Sequence, residues 1–212
     1  MKNTAKLICA LFLLIYLSAT FISKGQSNIR FGVTGGLNAN QIKTSTNMSN
    51  LLWKYNVGFA FAKKLPGKYS LASELVYTRQ GRHLELSRTR KFTTHFDYIA
   101  IPALVRFWPG EKDLYIQAGG KFSVLINSKE IYTNNNNTSL IDLDHLRQWD
   151  AGALGGVGYR LGSHMVVDFR YYFGMVPMIK KHTVLGPDLT PIFFGADRWF
   201  NRVWSLNLTY YL

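Results

Sequence analysis

From Ile29 to the C-terminus, apolar side chains fall on alternate positions in eight separate runs. The last run is the most regular. Between Arg202 and Leu212 one face carries Trp204, Leu206, Leu208, Tyr210 and Leu212, and the other carries Val203, Ser205, Asn207, Thr209 and Tyr211. A period of two sends successive side chains to opposite faces of a strand. One face then suits lipid, while the other tolerates hydroxyls and amides. The same alternation runs through Ile29 to Asn38, Tyr55 to Ala62, Tyr69 to Gln80, Tyr98 to Phe107, Leu114 to Asn127, Trp149 to Arg160 and Met165 to Phe173. These runs are near the roughly 9–11 residues that a tilted membrane strand needs. The predicted fold class is all-β: an eight-stranded antiparallel up-and-down transmembrane β-barrel.

The connections alternate in length. Short turns are expected at Pro66-Gly67-Lys68, at Pro109 to Lys112 and at Leu161 to Ser163, where Pro-Gly and Gly-Ser are direct turn signals. Long connections are expected at about 39–53, 81–94, 128–147 and 176–199. With both termini in the periplasm, eight strands give three short turns below and four long loops above, the asymmetry of outer-membrane barrels. The run Asn134 to Asn137, followed by Thr138 and Ser139, reads as an exposed loop tip.

Composition fits strands better than helices. Hydrophobic residues make up 47% of the chain and charged residues 17%, yet mean hydropathy is −0.04. The one long apolar run, Leu7 to Ile22, follows Lys2 and Lys6 and precedes Ser23 and Gly25. That pattern predicts a cleaved signal peptide over 1–25, with the barrel domain over 26–212. Cys9, the single cysteine, lies inside the apolar run and lacks a lipobox, so the mature chain would hold no disulfide and no thiolate metal site. The net charge of +13 asks for an anionic partner, either nucleic acid or lipid phosphate. Export, and the lack of a basic helix or an RNP-like motif, argue against nucleic acid.

The segment Phe96 to Leu125 reads FDYIAIPALVRFWPGEKDLYIQAGGKFSVL. It resembles the PorT-like outer membrane β-barrel families common in Bacteroidetes: a Tyr, an apolar pair and Pro in one strand, a short turn, then a strand with Ala-Gly. Asp150-Ala151-Gly152 through Tyr159 resembles their next Gly-rich strand, Asp168 to Gly174 their Arg-Tyr strand, and Phe31 to Asn38 their opening strand. The chain departs from them at its end, finishing on Leu212 where such barrels usually finish on Phe. The resemblance implies the barrel fold. It also implies a place in the outer membrane and, for some members, a part in protein secretion or gliding.

Catalytic and metal chemistry is hard to find. His83, His95, His145, His164 and His182 include no i, i+4 pair, so no metal site or cofactor is expected. Gly155-Gly156-Val157-Gly158 falls inside a strand, where room for a bulky lumen neighbour explains it better than a phosphate loop. A lipid-modifying enzyme would need a Ser or Asp beside a His at the rim, and His83 and His95 do flank a loop containing Ser87. No triad follows from that, and no catalytic residue is assigned. Strand parity places Arg30, Glu74, Arg106, Lys121, Asp150, Arg160, Asp168 and Arg170 in the lumen, either as a salt-bridged plug or as a polar conduit. Arg82, Arg88, Arg90 and Lys91 face a single acid, Glu85, in the second long loop, which makes them candidates for lipopolysaccharide phosphates. The reading is a non-enzymatic barrel acting through its loops on lipid, lipopolysaccharide or a protein of a secretion complex. A small solute pore is the alternative, and a lipid-modifying enzyme a further one.

Overall fold

A computed structural model of the chain describes residues 29–43, 48–85, 90–110, 113–134, 137–141, 146–179, 182–185, 191–194 and 199–212. The expected signal peptide lies outside them. Eleven strands form: β1 (Ile29–Lys43), β2 (Leu52–Lys64), β3 (Tyr69–Glu85), β4 (Arg90–Phe107), β5 (Leu114–Asn134), β6 (Asn137–Ile141), β7 (Trp149–Leu161), β8 (Met165–Gly174), β9 (His182–Leu185), β10 (Pro191–Phe194) and β11 (Phe200–Tyr211). Eight of them close a ring in the order β1, β2, β3, β4, β5, β7, β8, β11, with every pairing antiparallel. Closure matters physically: no strand edge is left with unpaired backbone groups in lipid.

The two faces of the wall separate as the alternation requires. Phe31, Val33 and Leu37 on β1, Tyr55, Val57 and Phe59 on β2, and Trp204, Leu206 and Leu208 on β11 are all exposed on the outer surface. Thr34, Asn38, Asn56, Asn207 and Thr209 from the same strands are buried inside. Two of the short turns depend on glycine: Gly67 has φ 75° and Gly162 has φ 69°, the left-handed region that a β-carbon disfavours.

Three features differ from the sequence-based expectation. First, the strands run well past the apolar alternation. β3, β4 and β5 continue to Glu85, from Arg90 and to Asn134, and β6 adds a further strand beside β5. Much of the expected loops at 81–94 and 128–147 is therefore hairpin. Pairing of β3 with β2 stops at Thr78, apart from an isolated bridge between Asn50 and His83, and pairing of β5 with β7 stops at Val124. Beyond those rungs the strands stand out from the ring as a blade. Asn134 pairs with Asn137 where β5 meets β6.

Second, Asp97 pairs with Asn127 while Tyr98 pairs with Leu125, so Ile126 is an extra residue in β5. This bulge reverses the phase of everything after it. Asn127, expected in the lumen, shares the face of Asp97 instead. Third, the β3–β4 register omits Glu74–Pro102 and Leu75–Ile101, because Pro102 has no N–H to give the ladder. Ser73 Oγ donates to the Pro102 carbonyl at 3.1 Å beside the gap.

Candidate functional site: the barrel lumen

From the short-turn end inward, the lumen begins with an aromatic and basic floor. Arg106, 2% exposed, donates from Nη1 to the Tyr211 hydroxyl at 3.0 Å and from Nε to Gln117 Oε1 at 3.3 Å. Its guanidinium lies 5.0 Å from the Tyr115 ring centre, and the Trp108 ring packs against that ring at 4.7 Å. Tyr115 fits only because position 158 is glycine: a β-carbon there would stand 2.2 Å from Tyr115 Cζ. The glycine-rich run thus makes room for a lumen side chain, as the strand reading proposed.

Above the floor, Arg170 binds two acids. It donates from Nη1 and Nη2 to Glu74 at 2.9 and 2.6 Å, and from Nη2 to Asp168 at 2.8 Å, with its Nε also ion-paired to Asp168. All three side chains are buried. β3 supplies Glu74 and β8 supplies both Asp168 and Arg170, which sit two residues apart and so share the lumen face. Tyr115 OH donates to Asp168 at 3.4 Å, tying floor to triad.

An amide ladder continues upward. Asn207 Nδ2 donates to Asp168 at 3.2 Å, Asn56 Nδ2 to Asn207 Oδ1 at 3.0 Å and to Asn38 Oδ1 at 2.8 Å, and Asn38 Nδ2 to Thr78 Oγ1 at 2.9 Å. Higher still, Asn201 Nδ2 donates to Asp150 at 2.7 Å, and Lys121 Nζ rests 3.4 Å from the Tyr172 ring centre. An apolar cluster of Ile42, Phe96, Tyr98, Leu146 and Met178, backed by Leu125, Ile179 and Trp199, occupies the outer end. Leu146, Met178, Ile179 and Trp199 come from the connections between strands, so this cap is loop packed onto wall.

Of the eight parity-assigned charges, five are buried, Glu74, Arg106, Asp150, Asp168 and Arg170, and Lys121 lines the lumen half-buried. The structure brings only Glu74, Asp168 and Arg170 into mutual contact. Arg160 sits at the short-turn rim and pairs with Asp113 of the β4–β5 turn, Nε to Oδ1 at 2.8 Å. Arg30 is at the same rim, bonded to the Ser163 carbonyl and lying 5.2 Å from the Tyr211 ring centre. Neither belongs to the central network. Both lie at strand ends, where parity still points inward but the lumen has already opened to water.

Of the basic loop residues, Arg82 is occupied. Its guanidinium lies 3.6 Å over the Trp199 ring, and Nε donates to Thr94 Oγ1 at 3.2 Å. Arg88 is outside the described residues. Arg90 and Lys91 are the first residues of β4, opposite Asn134 and Thr133, and only their backbone is described. His83 Nδ1 is 2.9 Å from Thr93 Oγ1, while Ser87 lies outside the described residues. Among the described residues no three His, Cys, Asp or Glu side chains gather as a metal site.

One polar cluster escaped the parity reading. On the blade, Asp97 accepts from Arg79 Nε at 2.7 Å and Nη2 at 3.0 Å, from Tyr77 OH at 2.8 Å and from Asn127 Nδ2 at 3.1 Å. The Arg79 hydrogen bonds hold the Asp97 carboxyl down to about 2, against the opposing effect of burial. Only the Ile126 bulge brings Asn127 onto this face.

The model of the family described as outer membrane protein beta-barrel domain matches residues 23–180. The chain belongs to that family. Its place is the outer membrane. No curated protein sequence matches the chain. Among solved structures, Neisserial surface protein A is 13% identical, with 85% of this chain and 96% of that one covered and a TM-score of 0.53. The attachment invasion locus protein Ail of Yersinia pestis is 12% identical, covering 88% of this chain and 100% of its own, with a TM-score of 0.48. OprG of Pseudomonas aeruginosa is 12% identical, at 87% and 94% coverage and a TM-score of 0.42. At such identities the likeness to Neisserial surface protein A speaks for the fold alone.

Proposed function

We propose that this outer membrane barrel is a non-enzymatic interaction protein of the PorT-like type, exported by a signal peptide cleaved before Gln26. It works through its extracellular face. The blocked lumen carries this reading: buried side chains of the floor, triad, ladder and cap fill the cylinder, as expected for eight strands. The surface built instead is the blade of β3, β4, β5 and β6, which rises above the ring. Lipid surrounds the belt, lipopolysaccharide phosphates meet Arg88, Arg90 and Lys91, and a protein of a secretion or gliding assembly is the partner. With Arg82 committed to Trp199, it contributes to the loop's shape more than to its charge.

Cross-linking in intact cells from cysteines on the blade, followed by identification of the captured protein, tests the reading. One reproducible envelope partner, lost when 128–141 is shortened to a two-residue turn, is the expected result. A barrel that captures nothing from either the blade or the other loops refutes it. Lipopolysaccharide retained through purification should fall when Arg88, Arg90 and Lys91 become Gln, and unchanged retention removes the lipid contact.

A further inference from the structure

At the end away from the short turns, β5 and β7 separate. Their ladder ends at Val124–Trp149, and the Leu125 N–H donates to the Gln148 carbonyl at 2.8 Å as the last link. From there β5 runs on to Asn134 in the blade. The chain leading into β7 bonds to the other side instead, where the Arg147 N–H donates to the Met178 carbonyl at 2.6 Å. The wall is therefore notched between the blade and β7. The outward side of this notch is an apolar platform. Phe122 and Trp149 are exposed and stack, with ring centres 6.2 Å apart and 26° between the planes. Ile126, the bulge residue, and Met175, which follows β8, are more exposed still, at 55% and 60%.

Two cations border the platform. Arg147 lies two residues before Trp149 and so shares its face. Its guanidinium is 5.2 Å from the Trp149 ring centre, and Nε donates to the Pro177 carbonyl at 3.1 Å. Those contacts fix the guanidinium and leave both Nη atoms without a partner among the described residues. Lys129 is exposed, three residues beyond Ile126 and opposite His95 of β4, and has no ion pair among the described residues. The described acids nearby are engaged elsewhere: Asp97 by Arg79, Tyr77 and Asn127, and Asp150 by Asn201 inside the lumen. Exposed aromatics bordered by two unneutralised cations suit an amphiphile with an anionic head. We propose that the notch holds one molecule of lipid A, the phosphorylated and multiply acylated sugar lipid of the outer leaflet. A phosphate accepts from the Arg147 Nη donors, whose planar fork matches an oxyanion, and from Lys129 Nζ. The acyl chains lie along Phe122 and Trp149. Because Arg147 is already held by Trp149 and Pro177, little side-chain freedom is lost on binding. The site is separate from Arg88, Arg90 and Lys91, and it rests on the reading that the short turns face the periplasm.

The test titrates the full purified barrel, delipidated in zwitterionic detergent, with three lipids: bisphosphorylated lipid A, the same lipid A with both phosphates removed, and phosphatidylglycerol. Native mass spectrometry reads the fraction of barrel carrying one lipid. Phosphorylated lipid A should bind the wild type and Lys63→Gln, at the short-turn end, equally well. Arg147→Gln should bind it about tenfold more weakly, the scale of one lost hydrogen bond to a charged group. Lys129→Gln and Trp149→Leu should weaken it severalfold. Trp53→Leu, at another exposed aromatic four strands round the ring, should leave it unchanged. Removing the phosphates should cost the wild type at least as much as Arg147→Gln does. Full binding by Arg147→Gln overturns the proposal, as does equal binding of all three lipids. A loss confined to the variant with Arg88, Arg90 and Lys91 changed to Gln puts the lipid at the basic loop, which rejects the notch and leaves the loop contact standing. If Arg147→Gln does not fold, Lys129→Gln and Trp149→Leu decide: undiminished binding by both rejects the notch.

Discussion

Replacing Arg170 by Met removes the positive centre of the triad and leaves Glu74 and Asp168 enclosed as unpaired acids. The three hydrogen bonds lost measure 2.9, 2.6 and 2.8 Å. Bonds to charged groups contribute about 1.5–3 kcal/mol each, so the gross loss is roughly 5–9 kcal/mol by that rule. Freed carboxylates recover part of this by taking up protons or water. Breaking one partner of a buried ion pair then costs about 3–5 kcal/mol net. Urea unfolding of the refolded barrel in detergent, followed by tryptophan fluorescence, measures the loss. A second variant, Glu74→Leu with Asp168→Leu and Arg170→Met, separates pairing from packing: with no charge left to desolvate, it should unfold within about 1 kcal/mol of wild type or higher. A single Arg170→Met costing under about 1 kcal/mol would show the triad to be hydrated, and the argument for a blocked lumen would fail.

Four other outcomes are expected. Gly158→Ala should cost about 1–3 kcal/mol through overpacking against Tyr115, and Tyr115→Leu should recover part of it; equal stability of Gly158→Ala and wild type contradicts the contact. In planar bilayers the purified protein should give no stable porin-sized conductance, and a reproducible channel that passes sugars would establish a pore. Cysteines at Asn136 and Pro187 should react with an impermeant reagent on whole cells and a cysteine at Gly67 should not; the reverse pattern would invert the topology. Asp97, with its carboxyl at about 2 in the folded state, is lowered from its unfolded value, so its contribution is present above about pH 4 and is lost as pH falls toward 2. Amide-exchange protection of the Arg79–Asp97 rung, corrected for intrinsic rates, should drop across that window, and Asp97→Asn should abolish the pH dependence.

The ring was legible because lipid imposes it. Every strand that crosses needs one apolar face, so period two survives from Phe31 to Tyr210. Turns such as Pro66-Gly67 mark where it stops. The same logic fails where lipid ends. Residues 79–85 and 128–134 carry polar groups on both faces, so nothing in their pattern announced that strands continue there. Parity placed Glu74, Asp168 and Arg170 on the inward face, but not as one group, because which strand lies across the lumen depends on the stagger of the closed ring. Counting charges alone also overlooked Asn38, Asn56 and Asn207. Their inward parity was visible, and three amides on three adjoining strands could have suggested a ladder. Arg160 found Asp113 in a turn, where parity has no meaning, and Asn127 was assigned to the wrong face because a single extra residue leaves no mark on composition.

Unequal strand length makes the molecule eccentric. β8 has 10 residues and β5 has 21, a difference of about 37 Å along the strand at roughly 3.4 Å per residue. One side of the rim is therefore raised as a mast, two strands round the ring from the short β8. As the barrel spins about the membrane normal, the mast tip sweeps a circle around the axis. A neighbour anchored in the same membrane meets that tip on one heading only. Engagement at the mast would lock the heading as well as the position, so a bound protein should lose axial rotation, a change that time-resolved anisotropy of a rigidly attached dye would register even where lateral diffusion hardly slows.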